Sequence, residues 1–347
     1  MVGQFDPSGS RNVVNARKYL ESLGSHSPSS DGVGATTYGA WTLIKHIFLS
    51  RYLTPFFQIG SLNFRRIVYV DMFGGPGLNW IPSLDRTFIT PGSPLISYAY
   101  SYRDNRRDRT ERFDSYYFYE TDRERAGLLA SRLTDVQRTF GFTEPPHVIN
   151  GDSVEDIWRL ISKEADCLAQ PKKTTARKDT GLLFLLFIDP EGLGIDFAGL
   201  KQLLKRYVAE VDEPDGKKAH YTTADVIYTA PTSAVLRSNN PDYVTKYCGV
   251  DRSHYQDLPE ELASAMSEAI SRELGGRGFV GFVPAKNTKN SILYHVFFIT
   301  KTKGAYDAAM SIMKKIRLST SDLESCLRVV YGESGSLDRW CSSETPE

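Results

Sequence analysis

Cysteine is scarce: four residues in 347 (Cys167, Cys248, Cys326 and Cys341), far apart and with no C-x-x-C pair. Six histidines show no metal-binding spacing. A disulfide framework and a zinc site are both without support. Long apolar runs are missing too. The longest, "LLFLLFI" (182–188), falls far short of the roughly 20 residues of a membrane helix, and the polar start "MVGQFDPSGSRN" has no secretory pattern. The expectation is a cytoplasmic protein without membrane association. Net charge is also absent, with 42 Lys and Arg against 42 Asp and Glu. Bulk electrostatics therefore does not draw the chain to nucleic acid. Only local basic stretches remain for that purpose: 101–113, 171–178, 285–290 and 313–317. Finally, neither G-x-G-x-x-G nor a G-K-[ST] loop occurs, which removes the usual pyrophosphate cradles.

What is present is a composition 41% hydrophobic and 12% aromatic, ample for a large packed core. Apolar residues at helical spacing (Leu43, Ile44, Ile47, Phe48, Leu53) predict an amphipathic helix within 36–60, stopped by Pro55 and Gly60. Beyond it, strand patterns at 66–73, 115–120, 147–150, 182–189, 225–230 and 293–300 alternate with helical ones at 94–104, 123–140, 154–166, 197–208, 259–274 and 304–317. Such alternation predicts an α/β fold: a mainly parallel twisted sheet with helices on both faces, plus an N-terminal helical extension. The expected division is an arm and helical extension over 1–60, a Rossmann-like domain over 61–320 and a tail over 321–347.

The first core strand breaks off into "DMFGGPG" (71–77). Glycines there let backbone N–H groups approach a ligand beyond the carboxyl end of the sheet. Asp71, Phe73, Gly75 and Gly77 form this turn. Strand two ends at Glu120, where a carboxylate can accept from both hydroxyls of a ribose. Strand three is followed by Asp152, an acceptor for an adenine amino group, and strand four by Asp189. Without a pyrophosphate cradle, an adenosine carrying a small zwitterionic tail fits this set best, and S-adenosylmethionine is the natural candidate.

"YVDMFGGPG" (69–77), "PGSPLISYAY" (91–100), "FIDPEGLG" (187–194), "PTSAVLRSNN" (231–240) and "LYHVFFITKTKGAYDAAMSIMKKI" (293–316) together resemble, in order and spacing, the three-Cys-motif partner protein (TcmP) family. The resemblance spans about residues 38–317. It implies a Rossmann-like S-adenosylmethionine-dependent methyltransferase fold and a separate cysteine-motif partner similar to radical-SAM enzymes. On this likeness Asp71, Phe73, Gly75 and Gly77 match the cofactor turn, Gly92-Ser93-Pro94 the start of the next helix, and Asp189-Pro190 the catalytic loop. Glu191 stands where relatives commonly carry an aromatic residue that could stack on a planar base.

In methyl transfer a protein mainly positions the acceptor and handles a proton. Asp189 suits an amino acceptor, with the Pro190 carbonyl as a second hydrogen-bond acceptor and Glu191 as a base. Arg237 is a candidate contact to a substrate phosphate or carboxylate. Lys45 and His46 sit near the expected site, Lys45 read as a solvated side chain. Basic loops at 171–178 and 285–290 make DNA or RNA the expected acceptor. Two other readings stay open: a non-catalytic scaffold that binds S-adenosylmethionine, and a nuclease holding Mg²⁺ on Asp152, Asp189, Glu191 and Asp196.

Overall fold

The computed structural model describes residues 36–316, apart from 38, 40, 83–86, 105–108, 153–155, 158, 161–162, 165–180, 208–221, 239, 252–254, 256–257 and 288. The basic stretch at 171–178, most of the 154–166 helix and the terminal segments lie outside the described residues. In chain order the elements begin with β1 (Thr36–Thr37), α1 (Thr42–Asn63), β2 (Arg66–Asp71), β3 (Leu78–Pro82), β4 (Thr87–Pro91) and α2 (Ser93–Ala99). There follow β5 (Tyr102–Asp104), β6 (Arg109–Glu111), β7 (Ser115–Glu120), α3 (Arg123–Phe140), β8 (Pro146–Asn150), β9 (Leu182–Ile188) and α4 (Phe197–Tyr207). The last are β10 (Thr222–Ala230), α5 (Thr232–Arg237), α6 (Pro241–Cys248), α7 (Pro259–Glu273), β11 (Phe279–Lys286), β12 (Ile292–Thr300) and α8 (Lys303–Lys315).

Seven strands form the main sheet, in the order β8-β7-β2-β9-β10-β12-β11. β8, β7, β2, β9 and β10 are parallel neighbours, while β12 is antiparallel to both β10 and β11. Numbered along the chain, these strands run 3-2-1-4-5-7-6. The first five places follow doubly wound Rossmann order. An antiparallel last strand is slotted between the fifth and sixth, which gives a mixed, Rossmann-like α/β sheet.

Alternation within each strand covers both faces. Ile67, Tyr69, Leu183, Leu185 and Phe187 join one core cluster with α1, α2, α3 and α8. Val68, Val70, Leu182, Phe184, Leu186 and Ile188 point the other way, onto α4, α6 and α7. β9 is buried along its whole length, as its unbroken apolar run predicts for a central parallel strand.

Three expectations need correction. α1 does not stop at Pro55 but continues to Asn63 with the proline inside it. Phe48, Leu49, Tyr52, Leu53 and Phe57 are fully buried, so the helix is an inner layer of the core. Pro55 forfeits one i→i−4 hydrogen bond, and the burial of these aromatic side chains outweighs that loss. The residue 60/61 boundary accordingly falls inside a helix. The 94–104 helix ends at Ala99, and residues 102–104 pair with β6 instead. β11, missing from the strand patterns and taking in the first two residues of the 285–290 stretch read as a loop, lies at the sheet edge, where its Pro284 is tolerated.

Candidate functional site

Rossmann sheets bind ligands outside the carboxyl ends of the strands where the winding reverses; here that point lies between β2 and β9. Asp71 closes β2, and the following turn is tied down on two sides. Gly74 N–H donates to the Tyr119 carbonyl at the end of β7, and Gly92 N–H donates to the Gly77 carbonyl at the start of α2, both at 2.7 Å. Gly75 and Gly77 have φ of +57° and +83°, the left-handed region that favours glycine. A Cβ on Gly77 would sit 2.9 Å from Leu129, whereas one on Gly75 would meet no protein atom within 4 Å. Gly77 is required by packing, and Gly75 keeps space open.

That space belongs to a cavity of about 370 Å³. Its floor is the turn, from Phe73 to Gly77, with Gly92 and Ser93. Glu120, Thr121, Asp122 and Arg125 line one side, Asp189 and Glu191 another, and Lys45, His46 and Asn79 close it. Glu120 uses one carboxylate oxygen to accept the Asp122 N–H at 2.8 Å and the Thr121 hydroxyl at 3.5 Å. Its other oxygen accepts no hydrogen bond from the described residues.

Two polar atoms in the cavity wall are buried with no hydrogen-bond partner among the described residues: His46 Nδ1 and Asn79 Nδ2. Buried polar groups in folded proteins are rarely left so. Burial, with the Lys45 charge adding to it, holds the His46 imidazole well below its ordinary pKa, so the ring is neutral. Lys45 forms an ion pair with Asp189, and its ammonium lies 5.9 Å from the centre of the Tyr294 ring. Tyr294 in turn donates its hydroxyl to the Trp41 carbonyl at 2.8 Å. Across the cavity Arg125 pairs with Glu191 at 3.1 Å.

Asp71 lies beneath the cavity and does not line it. Its carboxylate is wholly buried and accepts the Phe73 N–H at 3.2 Å and, more weakly, the Tyr69 hydroxyl at 3.4 Å. Burial raises its pKa to about 7 against the opposing hydrogen bonds from Ser93, Phe73 and Tyr69, with the nearby Asp189 charge pushing it up further. Its part is to shape the turn from below.

Of the residues singled out from sequence, Phe73, Gly75, Gly77, Glu120, Asp189 and Glu191 converge on this one cavity. Pro190 adjoins it without lining it. Asp152 is exposed and outside the lining, despite following β8. Arg237 is elsewhere, on a second cavity of about 760 Å³ formed by α5, α6, the start of α7 and the β11–β12 turn. Lys45 is buried and paired rather than solvated. Ser93, matched by resemblance to the start of the next helix, lines the cavity; Asn79 and Arg125 went unnoticed because nothing in the sequence links them to the turn, and for Lys45 and His46 the signal was two polar residues inside an apolar helix. Among the described residues no group of three or more His, Cys, Asp or Glu could hold a metal ion, and the acidic set of a nuclease does not assemble. No helix among them is long and apolar enough to cross a membrane.

No family model matches the sequence, and no curated protein matches it, so the TcmP resemblance rests on its motifs alone. Solved structures give loose likenesses. A Legionella pneumophila protein of the DUF519 family model is 12% identical with a TM-score of 0.42, over 86% of this chain and 94% of that one. An O-methyltransferase from Bacillus cereus, in complex with SAH, is 10% identical with a TM-score of 0.32, over 87% and 94%. At such scores the fold assignment stands on the strand order, a Rossmann-like α/β sheet with an antiparallel last strand.

Proposed function

We propose that the chain is an S-adenosylmethionine-dependent methyltransferase. The observation that carries this reading is the pair of unpartnered atoms, His46 Nδ1 and Asn79 Nδ2, in the wall of a cavity whose floor leaves the Gly75 side open. Such a cavity suits a ligand with an amino-acid end that supplies hydrogen bonds to both atoms and a ribose that donates to Glu120. The bound cofactor would supply a methyl group on a sulfonium. The protein's own work is then positioning. Asp189 accepts a hydrogen bond from the acceptor, and Lys45 holds that carboxylate at the rim until the acceptor arrives. Glu191, engaged by Arg125, narrows the entrance in place of a stacking ring.

Calorimetry with S-adenosylmethionine and its demethylated product tests the reading. Both are expected to bind. Gly75→Ala is expected to fold at a cost of about 1 kcal/mol, the order of the left-handed penalty, and to weaken both ligands by intruding on the cavity floor. A folded wild-type chain that binds neither compound would overturn the proposal. Asp189→Asn separates binding from chemistry: cofactor affinity is expected to stay, and methyl transfer to fall by about a hundredfold or more.

A further inference from the structure

The cofactor reading leaves the larger cavity unexplained. It opens at the same carboxyl edge, one strand further on, since β10 is the neighbour of β9. A short chain of contacts connects the two: Asp189 pairs with Lys45, Lys45 lies over Tyr294, and two residues earlier on β12 Ile292 lines the second cavity and accepts the Ser233 hydroxyl at 2.6 Å. We infer that this second cavity is the acceptor site and takes one nucleotide of a single-stranded nucleic acid. The inference rests on the methyltransferase reading.

The lining supplies each kind of contact such a nucleotide needs. Arg237, exposed at the end of α5, meets no acidic side chain among the described residues, and a free guanidinium fits a phosphate in a bidentate manner. Asn240 spends its Oδ1 on the Asp242 N–H at 3.0 Å, which leaves its amide NH₂ to donate. Asn290 stands on the opposite rim at φ +60°, the one non-glycine with positive φ among the described residues, with its side-chain amide uncommitted. Amides read base edges, the Glu260 carboxylate accepts from an exocyclic amine, and the Tyr255 ring offers a stacking face. Lys289, exposed in the same turn as Asn290, adds a second cation at the mouth.

Charge decides between one strand and two. With 42 charges of each sign the chain has no net positive charge to draw a duplex backbone. Two cations at one cavity mouth match one or two phosphates of a flexible strand. The salt dependence should therefore be shallow, a log–log slope of about −1.4 for two contacts on a single strand.

The test is fluorescence anisotropy with short labelled single-stranded RNA and DNA of mixed sequence, and the matching duplex, titrated between roughly 50 and 200 mM salt. Wild type is expected to bind a single strand with that slope. Arg237→Gln and, separately, Lys289→Gln are each expected to bring the slope to about −0.7, and Arg237→Gln to weaken binding about tenfold. Binding of S-adenosylhomocysteine should be unchanged in both variants. Equal affinity and slope in wild type and Arg237→Gln, tighter binding of the duplex, or no binding to either single strand would overturn the assignment. A wild-type chain that binds the strand as described but not the cofactor would instead overturn the methyltransferase reading and leave the nucleotide site in place.

Discussion

A buried carboxylate on β10 makes the protein's stability sensitive to pH. Asp225 is fully buried on β10 and accepts the Tyr52 hydroxyl at 2.6 Å and the Thr300 hydroxyl at 2.5 Å. Burial still wins, and its pKa rises from 3.8 to about 6. A carboxyl whose folded pKa is raised binds its proton more tightly in the native state. Its stabilising effect is complete below pH 3.8 and is lost as pH climbs through 6, roughly 3 kcal/mol in all. Asp225→Asn keeps an acceptor for Tyr52 and removes the charge. Melting curves from pH 4 to 8 should be flatter for this variant, with a higher Tm at pH 8; an unchanged pH profile would show that Asp225 is not the source. At the cavity, Lys45 and Asp189 have side chains only 8% and 13% exposed. Removing one partner strands a charge in a poorly solvated place. Lys45→Met is expected to cost about 3 kcal/mol, and the Lys45→Met/Asp189→Leu pair to recover most of it. Urea titrations of the two single variants and the double variant measure the coupling directly, and simple additivity would refute the pair's importance.

α1 shows how much of an element can be read from sequence and how much cannot. Its apolar spacing announced a helix, yet the same spacing concealed that the helix is buried on most sides. Tyr52 stacks edge-on to Phe298 at 4.6 Å and Phe57 to Phe113 at 4.7 Å, contacts that only the tertiary fold brings about. Pro55 then becomes informative. Replacing it by alanine should restore one backbone hydrogen bond and improve helix propensity, partly offset by a freer unfolded chain. The net gain expected is about 1–2 kcal/mol in urea unfolding. A loss would mean that the proline ring itself packs productively. α3, in contrast, was legible from end to end. Asp122 caps it by accepting the Arg125 N–H at 2.9 Å, and Gly141 ends it at φ +67°. Where local signals settle an element, sequence reading finds its limits; where burial overrides a local signal, as with Pro55, it does not.

Across the whole molecule, the strand–helix alternation predicted the sheet and its two covered faces, and most of the polar strand ends singled out from sequence meet at the smaller of the two cavities. β3 and β4 escaped notice because "LNWIP" and "TFITP" are short and end in proline, and the Gly77–Gly92 bond that adjoins their pairing joins residues the sequence does not link. Asn79 was invisible for the same reason. Asp152 falls outside the cavity lining because position after a strand says nothing about side-chain direction once the chain leaves the sheet.

The placement of β12 between β10 and β11 bears on how the chain is made. Its residues 292–300 are nearly the last of the core to leave a ribosome, yet they fill the gap beside a strand completed some sixty positions earlier. Until they arrive, β10 has a bare flank of backbone N–H and C=O groups next to apolar side chains, and β11 has no partner in the sheet. A nascent or truncated chain ending near Lys286 thus carries an open template for pairing with its neighbours. Such a fragment should collect in inclusion bodies or on chaperones, whereas a chain extended through Thr300 and α8 closes its own edge.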